Sequence, residues 1–126
     1  MLENESEKPE QRKPVPPYLA IGLSTTARGI GKRSDIMRNI DHIENMIHGA
    51  MFVVSINMPV KIMALAEGAL SGFTDEAFDI PHVTAARDLW IDIPGPETDR
   101  LGEIAKQYET YIIGQCKARW PEVIKD

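Results

Sequence analysis

Glu67 is the residue of this chain best placed to do chemistry. It follows the apolar run Val60-Lys61-Ile62-Met63-Ala64-Leu65-Ala66 and opens the stretch Glu67-Gly68-Ala69-Leu70-Ser71-Gly72-Phe73. The run is short and nearly free of charge, so it reads as a buried strand. Gly68 and Gly72 mark a turn whose backbone can enter conformations closed to other residues. A carboxylate at the C-terminal end of a strand, in a glycine-punctuated loop, stands where α/β proteins commonly bind ligands. Such an acid can move protons to and from a bound substrate. The plainer alternative is a solvated loop acid that merely follows a strand.

Other reactive residue types are sparse. Cys116 is the single thiol. It sits in an apolar run, Tyr111-Ile112-Ile113-Gly114-Gln115-Cys116, that reads as a strand, and it reads as a small buried apolar residue. His42 and His48 are too far out of phase to share a helix face, and His82 follows Pro81 in a loop. No His/Cys/Asp/Glu grouping has the spacing of a zinc site, so no metal and no cofactor is expected. Asp75 and Glu76 lie close enough to neighbour Glu67 but read as a solvated face. Gly29-Ile30-Gly31 resembles half of a phosphate-binding turn without its third glycine. Trp90 and Trp120 lack the basic company of a nucleic-acid stacking platform.

The surrounding elements alternate. Tyr18–Leu23 reads as a first strand introduced by Pro17. Ser34 is a candidate cap for a helix from Asp35 to about Ala50, with Ile36, Ile40, Ile43, Ile47 and Ala50 at helical spacing and Asp35 in the first turn. Met51–Ile56 is a further apolar stretch, broken by Asn57-Met58-Pro59. Val83–Leu89 reads as a short helix and Ile91-Asp92-Ile93 as a brief extended piece closed by Pro94-Gly95-Pro96. A helix follows from Glu97 or Thr98, with Leu101, Ile104, Ala105 and Tyr108 on one face. Strands near 19–23, 60–66 and 111–116, separated by helices, imply an α/β sheet with helices on one face.

Composition sets the outer bounds. The 126 residues are 43% hydrophobic, and 14 basic against 19 acidic residues give a net charge of −5. That charge, with no Lys/Arg-rich run, argues against a nucleic-acid groove or an anionic membrane surface. No apolar stretch approaches the length of a spanning helix. The N-terminus is polar and acidic instead of signal-like. A single cysteine suits a reducing compartment, so a soluble, cytoplasmic protein is expected. Residues 1–17, rich in proline and charge, read as a disordered polar tail preceding a domain from 18 to 126.

Three stretches together resemble the carbon–nitrogen hydrolase (nitrilase) superfamily. They are Asn39-Ile40-Asp41-His42-Ile43-Glu44, Ala66–Glu76 around the Glu67 turn, and Ile93–Gly102 with the following Tyr111-Ile112-Ile113. The likeness runs from Tyr18 to the C-terminus. It implies a four-layer αββα sandwich and hydrolysis of non-peptide carbon–nitrogen bonds in nitriles, amides or carbamoyl compounds. The family works through a Glu–Lys–Cys triad, and its glutamate corresponds to Glu67. A thiolate attacks carbon, a buried carboxylate shuttles protons, and an ammonium stabilises the tetrahedral intermediate.

This sequence departs from that pattern in two places. The family's Phe-Pro-Glu is Leu65-Ala66-Glu67 here. The family's lysine and its Cys-Trp-Glu-like turn are due further along than these residues reach, and Lys117 and Cys116 come too early to stand in for them. The chain is thus expected to be the N-terminal portion of the domain, roughly its first two-fifths. One sheet face would then lack its partner sheet, leaving the chain inactive and poorly soluble alone. Expected partners are a small nitrile or amide substrate and a complementing C-terminal segment or a homo-oligomer. A non-catalytic α/β binding or assembly module built on the same half-fold is the alternative.

Overall fold

The computed structural model describes residues 12–120, and most of the proposed N-terminal tail lies outside them; residues 12–17 are exposed and carry no regular structure. The element order is β1 (Leu19–Leu23), α1 (Asp35–Val54), β2 (Val60–Leu65), α2 (Thr74–Ala77), α3 (His82–Asp88), α4 (Pro96–Gln107) and β3 (Tyr111–Ile113). The three strands form one parallel sheet in the order β1-β2-β3. Parallel neighbours require crossovers, which α1 supplies between β1 and β2 and α2–α4 supply between β2 and β3. The chain is thus a mixed α/β fold. Among the described residues no helix is long and apolar enough to cross a membrane.

Burial is one-sided. Ile36, Ile40, Ile43 and Ile47 of α1 are fully buried and share one cluster with Leu23, Val60, Met63 and Ile104 of α4. Each buried isoleucine contributes roughly 1.5–3 kcal/mol of transfer free energy. Ile21 pairs with Met63, which pairs with Ile112, so these side chains share the covered face. A bulge opposite Leu19 and Ala20 leaves Lys61 as the extra residue and keeps Val60 on that same side. Ala20, Gly22, Ala64, Tyr111 and Ile113 alternate onto the other face and are exposed.

Several local expectations are corrected. Helix α1 runs on to Val54 instead of stopping near Ala50, because nothing from Met51 to Val54 breaks it and Pro59 comes only later. Ser34 occupies the N-cap position but makes no side-chain cap bond. Asp35 instead ties the preceding loop to the start of the helix, its Oδ2 accepting the Gly31 and Lys32 amides at 2.9 and 3.1 Å. Those amides are therefore committed to a side chain of the protein itself, which removes the phosphate-turn reading of Gly29 and Gly31. Helix α4 starts at Pro96, whose missing N–H costs nothing in the first turn. The Thr98 hydroxyl reaches back to accept the Gly95 amide at 2.8 Å.

Strand β3 ends at Ile113, so Cys116 lies past the strand and not within it. Beyond Gly114 the chain turns back to Ile91, which forms a parallel bridge with Ala118. The Ile91 amide donates to the Lys117 carbonyl at 3.1 Å, and the Arg119 amide to the Ile91 carbonyl at 2.9 Å. Side chains reinforce this seam. Asp92 accepts from Arg119 Nε and Nη2 at 2.6 and 2.9 Å and from Arg33 Nη1 at 3.0 Å. Arg33 Nε also donates to the buried Glu97 at 3.2 Å.

The Arg119 guanidinium, with Arg33 adding to it and partial desolvation opposing, holds the Asp92 carboxyl down to about 2. A carboxyl held below its unfolded value stabilises the fold above the unfolded pKa of roughly 4, and that contribution fades as pH falls through the folded value. Protection of the Ile91 and Arg119 amides against hydrogen exchange should therefore drop between about pH 4 and pH 2. Protection that stays flat across that window would show that the ion pairs do not hold the seam.

Candidate functional site

The turn after β2 is built by glycine. Gly68 and Gly72 adopt φ of +74° and +60°, in the left-handed region that L side chains avoid. The Gly72 amide donates to the Gly68 carbonyl at 2.8 Å, closing the turn. A Cβ on Gly72 would come within 2.7 Å of the Arg28 carbonyl, so the β1–α1 loop packs directly on this backbone. Asn39 of α1, 2% exposed, bolts the two loops together. Its Nδ2 donates to the Arg28 carbonyl at 3.1 Å and to the Leu70 carbonyl at 2.6 Å. The hydroxyl of buried Thr74 accepts the Ile30 amide at 2.8 Å from across the same junction.

This frame places Glu67 at the carboxyl end of the central strand. Its side chain is exposed and stands on the rim of a shallow hollow of about 30 Å³, shared with Ser71, Phe73, Glu76, Cys116 and Lys117. The burial that the family resemblance asks of its carboxylate is not supplied by the described residues. The turn that follows β3 is what carries Cys116 and Lys117 to the hollow. Sequence separation hides this, since they lie almost fifty residues beyond Glu67.

Lys117 is engaged on arrival. Its Nζ donates to Asp75 Oδ2 at 2.7 Å and to Glu76. Burial pushes the Asp75 carboxyl up, but hydrogen bonds to Lys117, Glu76 and its own backbone, with the Lys117 charge, together hold it below the ordinary range. Desolvation likewise opposes the charge on Lys117, and its bonds to Asp75 and Glu76 raise its pKa regardless. Asp75 is buried, so it is not part of a solvated face as its sequence neighbours imply. Only the fold reveals its partner, forty-two residues away.

Cys116 is half-buried and packs against the core. Burial pushes its thiol up, which keeps it protonated and poorly nucleophilic at neutral pH. The same side chain also borders a larger apolar hollow of about 430 Å³ beneath α4 at the open edge of β3, with Leu65, Ile91, Leu101 and Ile112. The histidines stay apart from the hollow. His48 Nδ1 lies 2.7 Å from the Tyr108 hydroxyl, and His82 tilts against Trp90 with ring centroids 6.1 Å apart. Among the described residues no group of His, Cys, Asp and Glu could hold a metal ion. Trp120 is exposed and Trp90 is partly buried beside His82.

Comparison of this chain with protein-family models and with curated proteins finds no match. The site therefore rests on its own geometry. That geometry holds a carboxylate on a glycine-stiffened turn, with an ammonium already neutralised by two other acids nearby.

Replacing Gly72 by alanine forces an L residue to φ +60° and drives its Cβ into the Arg28 carbonyl. Urea denaturation of Gly72→Ala should show a loss of about 1–3 kcal/mol. Unchanged stability would mean that the β1–α1 loop is not fixed against the Glu67 turn.

Proposed function

We propose that the chain is the N-terminal portion of a carbon–nitrogen hydrolase of the nitrilase type, with Glu67 as its proton-handling carboxylate. The supporting observation is the placement of Glu67. It stands at the carboxyl end of the central strand of a parallel sheet, above a hollow, with helices on one sheet face and an apolar, uncovered second face. An αββα sandwich would use that second face to pack on another sheet. The resemblance assigns the lysine and the nucleophilic cysteine to polypeptide outside these residues.

In the completed site, Glu67 takes the proton of the cysteine thiol as sulfur attacks the carbon of a nitrile or amide. For an amide it returns that proton to the departing nitrogen, leaving a thioester; for a nitrile the nitrogen takes the proton to give a thioimidate, and a first water adds and ammonia leaves before the same thioester forms. Glu67 then activates the water that releases the acid from the thioester. The lysine ammonium stabilises the charge that collects on the substrate heteroatom in the tetrahedral intermediate. A small, uncharged nitrile or amide is the substrate class. The single cysteine fits a cytoplasmic setting.

The non-catalytic alternative is favoured by one observation, the commitment of Lys117 to Asp75 and Glu76 on the same hollow as an exposed Glu67. Joining the chain to the polypeptide encoded directly downstream separates the two. The hydrolase reading expects a Cys-Trp-Glu-like turn in that polypeptide and amide or nitrile turnover by the joined protein. It also expects no turnover by the 126-residue chain alone. Glu67→Gln in the joined, folded protein should lower kcat by about 10²–10⁴-fold. A downstream frame without the turn, or full activity in Glu67→Gln, overturns the proposal in favour of the binding module.

A further inference from the structure

Beyond Ile113 the chain runs Gly114-Gln115-Cys116-Lys117-Ala118-Arg119 between two hollows. Gln115, Cys116 and Lys117 wall the small hollow at Glu67, while Gly114 and Cys116 wall the apolar one beneath α4. Among the described residues Cys116 alone borders both. None of the six residues is fully buried, and their apolar contacts with the core come from Cys116 and Ala118. Lys117 and Arg119 each share a backbone bond with Ile91. The remaining ties are charged or polar. Lys117 meets Asp75 and Glu76, Arg119 meets Asp92, and Arg119 Nη1 donates to the Arg87 carbonyl at 3.3 Å. A segment tied in this way, with little apolar surface sealed beneath it, belongs to the less stable part of a fold and opens ahead of the core.

We propose that residues 114–119 form a strap that opens by releasing the Lys117 and Arg119 contacts while the sheet stays folded, and that this opening admits ligands to Glu67. With the strap closed, the Glu67 hollow holds about 30 Å³, room for little more than a water molecule. Small-molecule sites are commonly on the order of 300–1,000 Å³. The hollow on the other side of Cys116 holds about 430 Å³, and no charged side chain lines it. Displacing Cys116 removes the wall that the two hollows share. An uncharged compound then sets its polar head at Glu67 and an apolar body beneath α4. The bearing on hydrolysis rests on the reading of Glu67 as a catalytic acid; the opening does not.

Cys116, the single thiol, reports the opening. Its reaction with iodoacetamide, followed by mass spectrometry across a urea series at fixed pH, should be slow and nearly independent of urea below the unfolding transition. Opening the strap exposes little surface, whereas global unfolding exposes much and gives a steep limb. Lys117→Gln should raise the rate on the flat limb about tenfold, since it leaves buried Asp75 without its cation. Loss of the positive charge beside the thiol disfavours the thiolate, so a faster reaction is not an effect on reactivity. Glu76→Gln keeps the Lys117–Asp75 pair and should give a rise of about two- to threefold. Ile43→Val, within the core, should speed only the steep limb.

Hexanamide, an uncharged head on an apolar tail, should bind the Lys117→Gln chain more tightly than the unaltered one by the factor through which labelling accelerates, when followed by ligand-observed NMR. None of these readouts depends on turnover, so they fail separately from the hydrolase reading, which the Glu67→Gln measurement tests. A labelling rate that follows the global urea slope throughout, a rate unchanged in both Lys117→Gln and Glu76→Gln, or equal hexanamide affinity in the two chains overturns the proposal.

Discussion

The isoleucine stripe of α1 can be removed from water only if the helix lies along one face of the sheet, and most other features of the fold follow from that contact. Ile36, Ile40, Ile43 and Ile47 reach essentially complete burial in a cluster with Leu23, Val60 and Met63. Helix α4 adds Ile104 to the same cluster and lies beside α1. Because the helices gather on one side, the parallel sheet is covered on that side alone among the described residues. Parallel sheets are seldom left in this condition, since their crossovers normally supply cover to both faces. Among the described residues the uncovered face is therefore the chief energetic imbalance.

The same helix also organises the loops at the carboxyl ends of the strands. Asn39 sits within the stripe at a buried position and spends its amide donors on two loop carbonyls. The bond to the Leu70 carbonyl is buried, where loss of a hydrogen-bond partner is costly. The contact brings Arg28 onto Gly72, and Gly72 can receive it only because it has no Cβ. Glu67 thus stands on a turn fixed at both ends, by β2 on one side and by the Asn39–Gly72 junction on the other. A carboxylate carried on such a support loses little orientational freedom when a substrate arrives.

Electrostatics at the hollow are nearly self-contained. Lys117 meets Asp75 and Glu76, and burial of Asp75 keeps that pair from being a mere surface contact. A second cluster, Arg33 and Arg119 with Asp92 and Glu97, ties the chain after β3 to the start of α4. Each cluster joins segments remote in sequence. Their combined effect is to hold the segment 115–119 where its side chains line the hollow instead of extending β3.

Local physics was legible in the amino-acid sequence. The period of the isoleucines specified α1, the nearly uncharged run before Glu67 specified β2, and glycines 68 and 72 specified a turn with positive φ, because each depends on residues within a few positions of one another. The strand–helix alternation likewise implied an α/β sheet with helices on one face, and the assembled strands made it parallel. Tertiary structure alone decided the rest. It ended β3 at Ile113, turned the Asp35 carboxylate back onto the loop before α1, buried Asp75 against Lys117, and brought Cys116 to the hollow of Glu67. Those outcomes depend on which distant groups meet once the sheet is assembled. An ion pair between residues 75 and 117 leaves no periodicity or spacing by which sequence could reveal it.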